Sequence, residues 1–337
     1  MERIVQVHKP AAVGMKRWGL LLLGVIGAAA LPLLVNSYLT SVLVIIGIYC
    51  ITTVGVSLLM GFAGLVSLAQ AAFWGVGAYA TGVMAVSFGI SPWLGIVLGM
   101  LLSGLLAYGL GWITRNLNGH YFSLATLGFG IVLNTVLIEE SEWTGGSSGL
   151  SGIPGLSFAS MSLSGDTAWY YFVWAIALLC LFLCRNLVHS GWGRNLRSMH
   201  ASQAASESMG IHTGRYRLQA FVISALFAGL SGGLYACYMS FISPAVFNFD
   251  MSIKFVIMAV LGGLVSIWGS LVGVVVVTLL VEALRQYVPL LLHDSSSGGA
   301  IEVIFFGVLL VAIMVYLPNG IMGLFQKRKS NMRVNAK

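Results

Sequence analysis

Ionisable residues are sparse in this chain, and their spacing is the first guide to what chemistry they could do. Glu282 and Arg285 lie one helical turn apart in an apolar run, and Asp250 and Lys254 stand four residues apart beside another. Each spacing puts acid and base on one helix face, where they can neutralise each other. A charge at membrane depth costs about 3 kcal/mol on insertion scales, so these four are suspects for a translocation role as well as for structural pairing. A proton-driven carrier would carry several unpaired acids or histidines within its spans, and Glu282 alone qualifies. His120, beside Arg115 at the start of an apolar run, reads as interfacial.

No catalytic constellation emerges, so the chain does not read as an enzyme. "TGGSSGLSG" from Thr144 to Gly152 is glycine-rich but lacks the Gly-Lys-Ser/Thr ending and the strand-to-helix context of a phosphate loop. "WGVGAYATG" from Trp74 to Gly82 falls inside an apolar run, where close packing accounts for it. Cys50, Cys180, Cys184 and Cys237 sit in apolar runs without CxxC spacing or partner histidines, as small buried hydrophobes do. No metal or cofactor site is assigned to this chain.

One long polar segment remains, "GRNLRSMHASQAASESMG" from Gly193 to Gly210. Ser202 can cap a short helix, Gln203 to Met209, and Gly210 can end it as a C′ residue. About two turns of helix are marginal alone in water, so this one needs a partner to hold it. Ala204 and Ala205 give a low-relief face, while Arg194 and Arg197 offer charge to a partner's carboxylates. A solvated basic connector is the other reading.

The elements around these residues follow from composition. Of 337 residues, 58% are hydrophobic and 8% charged, and the mean hydropathy is +0.94; soluble domains carry about 25% charged residues. The spacing of apolar runs predicts an all-α integral membrane protein, a polytopic helical bundle of about ten membrane segments. They are Leu20–Leu34, Leu39–Met60, Leu65–Phe88, Trp93–Ile113, Tyr121–Ile138, Trp169–Cys184, Leu218–Ser240, Ile253–Ile267, Gly269–Val288 and Ile301–Leu317. A barrel would need short alternating strands, which the sequence lacks. The first run follows Arg3, Lys9, Lys16 and Arg17 and imitates a secretory signal; it is read as an uncleaved first helix. The run Ile253–Ile267 is short and ends near Gly262-Gly263, which suggests a half-helix or re-entrant element. Small residues four apart, such as Ala225 with Gly229 and Gly269 with Gly273, predict close helix packing.

Alternating sides from a basic N-terminus puts Arg115, Arg185, Arg194, Arg197, Arg215, Arg217 and the tail's lysines and arginines inside. Glu139, Glu140, Glu142, Asp166, Asp250 and Asp294 fall outside. That asymmetry places both termini in the cytoplasm and accounts for the net charge of +7. Nothing resembles a soluble basic face for nucleic acid. The organisation is then a cytoplasmic segment 1–19, a transmembrane domain 20–317 with an outer loop 139–166 and a cytoplasmic loop 185–217, and a basic tail 318–337.

The polar segment resembles the coupling region of permease subunits in binding-protein-dependent ABC importers. There a cytoplasmic Glu-Ala-Ala helix followed by glycine docks on the ATPase; Gln203, Ala204, Ala205 and Gly210 occupy that pattern here, with glutamine for glutamate. A wider likeness picks out the LivM-type permeases of the branched-chain amino acid importers. "GFAGLVSLAQAAFWGVGAYATG" (61–82), "GHYFSLATLGFGIVL" (119–133), "TGGSSGLSGIP" (144–154), "MGIHTGRYRLQAFVISALFAGLSGGLYA" (209–236), "FISPAVF", "VLGGLVSIWGSLVG" and "LPNGIMGLF" are similar to that family's segments, in its order.

The resemblance implies a bacterial inner-membrane complex of this chain, a homologous LivH-type permease, two cytoplasmic ATPases that bind ATP and Mg, and a periplasmic substrate-binding protein. Alternating access would be driven through Gly193, Arg194, Arg197, Gln203, Ala204, Ala205, Gly210 and Ile211, and the outer loop would receive the binding protein. Gln70, Tyr79, Thr126 and Asn134 are candidates for the substrate pathway by their place in glycine-rich helices. Relatives of the family also carry urea, short amides and other amino acids; an ion-coupled carrier or a non-transporting membrane scaffold are the competing classes.

Overall fold

The computed structural model describes residues 35–292 apart from positions 116, 118, 159, 160, 164 and 265, with Pro32, Val308 and Ile321 as isolated additions. Apart from those single residues, the expected first and last spans, the segment 1–19, Asp294 and the basic tail 318–337 lie outside the described residues.

The helices are α1 (Ser37–Ser57, prolonged by a π-turn Leu58–Phe62), α2 (Gln70–Val86), α3 (Pro92–Thr114), α4 (His120–Glu139), α5 (Ser141–Thr144), α6 (Asp166–His189), α7 (Gly191–Ala201), α8 (Gln203–Ser208), α9 (Thr213–Met239), α10 (Phe249–Gly262) and α11 (Ile267–Leu292). Among the described residues, six helical segments are long and apolar enough to cross a membrane: Ser37–Phe62, Pro92–Thr114, His120–Glu139, Asp166–His189, Thr213–Met239 and Ile267–Gln286. The chain is therefore a polytopic helical membrane protein.

Two of the helices formed from the expected membrane segments are shorter than a span. α2 has 17 residues and α10 has 14, which at 1.5 Å per residue gives about 26 and 21 Å against a hydrocarbon core of about 30 Å. The expected start of α2 at Leu65 needs correction, because the backbone there finds partners outside any helix. Ser123 Oγ donates to the Val66 carbonyl at 2.8 Å, and the Leu68 N–H donates to Thr126 Oγ1 at 3.1 Å. With these polar groups answered by α4, this stretch can stay extended. The expected half-helix Ile253–Ile267 is instead Phe249–Gly262, capped by Asn248, whose Oδ1 accepts from the Met251 N–H at 3.1 Å. It stops at Gly263, where φ is +108°, and α11 begins at Ile267, directly after Ser266.

Glycines set the helix separations. A Cβ on Gly232 of α9 would collide with the Trp74 carbonyl of α2, and one on Gly99 of α3 would lie 2.7 Å from the Gly77 carbonyl. α2, α3 and α9 thus cross backbone to backbone, as the small-residue spacing predicts. Gly273 faces the Met258 carbonyl in the same way and closes the α10–α11 hairpin. α1 runs through the middle, joined to α9 by Ser231 Oγ donating to the Ile48 carbonyl at 2.7 Å and to α11 by Ser270 Oγ donating to Ser57 Oγ at 2.8 Å. Trp74, fully buried, sits edge-on to Tyr49, Phe247 and Phe255 at centroid distances of 4.8 to 5.8 Å.

The segment between α4 and α6 is folded. Leu150–Ser151 (β1) pairs antiparallel with Phe241–Ile242 (β4), and Ser157–Phe158 (β2) with Met161–Ser162 (β3), a small departure from the all-α expectation. Ile153 and Leu156 are buried beneath it, and Trp93 Nε1 donates to the Ser157 carbonyl at 2.9 Å. Glu139, Glu140 and Glu142 are exposed at this end of the molecule.

Candidate functional site

The polar segment folds as two helices at the end of the bundle opposite this acidic cap. Sequence reasoning found α8 and missed α7, although Trp192, Leu196 and Met199 recur at helical spacing. Leu196 and Met199 are buried, and Gly193 is buried too, packed so tightly on the Val188 carbonyl that a Cβ would not fit. Two hydrogen bonds tie α7 to α9: Asn195 Nδ2 donates to the Tyr216 hydroxyl at 2.7 Å, and Trp192 Nε1 to Gln219 Oε1 at 2.8 Å.

α7 also lies against the π-turn at the foot of α1. Arg197 donates from Nη2 to the Val188 carbonyl at 3.1 Å and stands 5.3 Å from the Phe62 ring centroid, which anchors the guanidinium on the fold. Arg194 is exposed. His200 covers Gly64, whose φ of +69° suits glycine, and a Cβ there would run into the imidazole Nδ1. On its far side the π-turn meets the α10–α11 break, because Gly61 abuts the Leu264 carbonyl. Single π-turns inside helices recur at functional sites.

α8 matches its sequence signals. Ser202 Oγ accepts from the Ala205 N–H at 3.4 Å, and Gly210 follows the helix with φ of +82°. Ser206 is buried and Ile211 half-buried, whereas Ala204, Ala205, Ser208 and Gly210 face outward beside Met209, which is 82% exposed. Gln203 is the hub of a polar clamp onto α9. Arg217 Nη2 donates to Gln203 Oε1 at 2.7 Å, while Gln203 Nε2 and Thr213 Oγ1 both donate to Glu207 Oε1, at 2.9 and 2.6 Å. The bonds from Thr213 and Gln203, helped by the nearby Arg217 charge, lower the Glu207 pKa. Met209, Glu207, Arg217 and Phe62 were not flagged from the sequence; for Met209 a large apolar residue between a polar helix and its C′ glycine was the available signal.

The four pathway candidates are dispersed. Gln70 Nε2 donates to Ser224 Oγ at 3.0 Å, Thr126 serves Leu68, and Asn134 Nδ2 donates to the Pro244 and Phe247 carbonyls at 3.0 and 3.3 Å. Gln70 Oε1 and the Tyr79 hydroxyl are buried without a hydrogen-bond partner among the described residues. Of the charges in apolar runs, Glu282 accepts from the Tyr38 hydroxyl and Asp250 from Asn248 Nδ2 at 3.3 Å.

Comparison with known proteins places this arrangement in a family. The chain is 30% identical over 318 residues to the high-affinity branched-chain amino acid transport system permease protein LivM of Salmonella typhimurium, covering 88% of this chain and 72% of that one. The LivM of Escherichia coli is 29% identical with the same coverage. A probable branched-chain amino acid transport permease protein LivH of Methanocaldococcus jannaschii is 26% identical over 78% of this chain and 84% of its own length. No solved structure matches. Residues 38–314 match the family described as the permease component of the branched-chain amino acid transport system, and with nearly all the described helices inside that match the chain belongs to this family.

Proposed function

We propose that this chain is the membrane-spanning subunit of an ATP-driven importer of branched-chain amino acids, working beside a homologous LivH-type permease in a bacterial inner membrane. The ATP and Mg belong to two cytoplasmic ATPases, and a periplasmic binding protein delivers substrate to the folded cap between Glu139 and Asp166. The observation that carries the reading is the α7–α8 unit: an exposed face of Ala204, Ala205, Ser208 and Met209 backed by firm attachment to the bundle.

In this mechanism the ATPases close on ATP and displace α8. Gln203 and Arg217 pass the movement to α9, and Arg197, through Phe62, passes it to the foot of α1. Gly193, Gly210 and Ile211 hold the shape of the unit, and Arg194 stays outward for a partner's carboxylate. α1 and α9 border α2, so their shift opens the interior on which Gln70 Oε1 and the Tyr79 hydroxyl stand without a hydrogen-bond partner among the described residues. Those two are the polar groups offered to a leucine-like substrate; Thr126 and Asn134 hold the pathway walls.

Copurification tests the reading. The tagged chain, isolated in mild detergent from its native membranes, is expected to bring ATP-binding subunits and a second permease. Ala204→Trp should release the ATPases while keeping the second permease, and should abolish leucine uptake. Uptake of urea or a short amide but not leucine would change the substrate. Isolation of the chain alone from membranes shown to contain the ATPases, with uptake lost in Glu282→Gln, would replace the importer with an ion-coupled carrier.

A further inference from the structure

At the root of the coupling helix lies an open cavity of about 400 Å³ between the end of α3 and the start of α9. Arg115, His212 and Arg215 contribute cationic or protonatable groups to its wall. Among the described residues its one acid is Glu207, whose Oε1 is already engaged by Gln203 and Thr213. Gly214 leaves the floor open: a Cβ there would meet only the Arg115 carbonyl, at 3.9 Å. The first turn of the 27-residue α9 opens onto the same space, and its N-cap His212 makes no side-chain cap, so the positive end of the helix dipole adds to the two guanidiniums.

A second feature indicates what the cavity holds. Arg115 and Leu218 also line an adjoining crevice with Leu65, Phe122, Phe221 and Arg217, which at about 10 Å³ has room for no more than a water. Arg115 stands 5.4 Å from the Trp112 ring centroid, and Trp112 is exposed, the pairing found where a helix leaves the bilayer. A concave cationic bowl of about 400 Å³ beside this interfacial Trp112 fits a phosphate headgroup, with the acyl chains lying outside it in the bilayer. Basic pockets between membrane helices bind anionic lipid headgroups for the same reasons.

We infer that this cavity is a phosphate-anion site occupied by the headgroup of an anionic phospholipid, held by Arg115 and Arg215 against the α9 N-terminus. A lipid there touches Gly210 and Ile211, the residues joining α8 to α9, so the leaflet's composition bears directly on the coupling unit. The inference goes beyond transport and rests only on the membrane-spanning fold.

The test uses the full chain in the assembly in which it purifies, placed in nanodiscs of phosphatidylcholine doped with phosphatidylglycerol, with retained lipid identified by native mass spectrometry. Phosphatidylglycerol is expected to be enriched over its share of the disc. Loss of two charge-assisted contacts in Arg115→Gln/Arg215→Gln should reduce that retention about tenfold or more, whereas Arg185→Gln, which removes an exposed cation on α6, should leave it unchanged. Gly214→Leu keeps every charge, adds a better helix former and fills the cavity; it should lower retention as strongly, so misfolding of the double variant would not leave the question open. No enrichment, or enrichment indifferent to Gly214→Leu, would overturn the inference. Inorganic phosphate is titrated in parallel in discs of phosphatidylcholine alone. Saturable binding that needs Arg115 and Arg215 and is not displaced by phosphatidylglycerol would give the site to free phosphate and overturn the lipid assignment.

Discussion

Glu207 holds α8 to α9 through one carboxylate oxygen, and its charge state therefore governs the clamp. Its pKa is lowered in the folded protein, chiefly by the bonds from Thr213 and Gln203. The stabilisation is thus complete above the unfolded glutamate value of about 4.3 and disappears as pH falls through the lower folded value. Hydrogen exchange across Ala204–Ser208, corrected for intrinsic rate, should be flat from neutral pH down to about 5 and rise only below about 4. Glu207→Gln should show weaker protection that no longer varies with pH. Gly64 makes a second residue-scale prediction. Gly64→Ala combines a left-handed backbone with a collision on His200 and should cost about 1–3 kcal/mol in detergent unfolding. Adding His200→Ala removes the collision but not the φ penalty, so the double variant should recover part of the loss.

At the scale of elements, signals that act within a few residues were the legible ones. Ser202 and Gly210 bound α8 because capping is local chemistry, and Ser202→Ala should fray that helix by about 1 kcal/mol while the bundle's unfolding midpoint stays put. α7 was hidden by Gly191 and Gly193, both poor helix formers; Gly193 is there because Val188 leaves no room for a side chain. Arg197 reads as a charge for a partner protein; it is exposed, and it also donates to the Val188 carbonyl and stands over the Phe62 ring, a contact hidden because Phe62 lies far away in sequence. The start of α2 was misplaced for a related reason, since "GLVSLA" is apolar enough for a span and only hydroxyls from α4 show why it is not helical. The crossing of α2, α3 and α9 was foreshadowed by small residues four apart. Gly232→Val should separate α2 from α9 and cost about 1–3 kcal/mol or more by overpacking, measured as loss of monodisperse protein and a lower unfolding midpoint.

For the whole molecule, the acidic cap and the basic α7–α8 unit lie at opposite ends of the bundle, which makes orientation directly testable. The native cysteines at 50, 180, 184 and 237 are all buried, so an introduced surface thiol reports with little background. Ser147→Cys in the cap should react with a membrane-impermeant maleimide added to intact spheroplasts, and Ser208→Cys only after permeabilisation. Reversed labelling would turn the molecule over. The helices differ as much sideways as end to end. α1 is nearly enclosed, while α4 exposes Tyr121, Leu124, Val132 and Val136, so the surfaces left for lipid or a second subunit are unevenly distributed around the bundle.

The π-turn at Leu58–Phe62 has a consequence best put in terms of helical phase. A π-turn takes up one residue more than an α-helical turn, so it acts like an insertion whose effect is confined to that turn. Deleting Met60 would restore an unbroken α-helical ladder and improve α1 as an isolated helix. It would also rotate Gly61 by about 100° and shift it by about 1.5 Å relative to the upstream helix, moving it away from the Leu264 carbonyl that it now abuts. The better helix would be the worse machine, and this one position sets the angular register between α1 and the contacts below it.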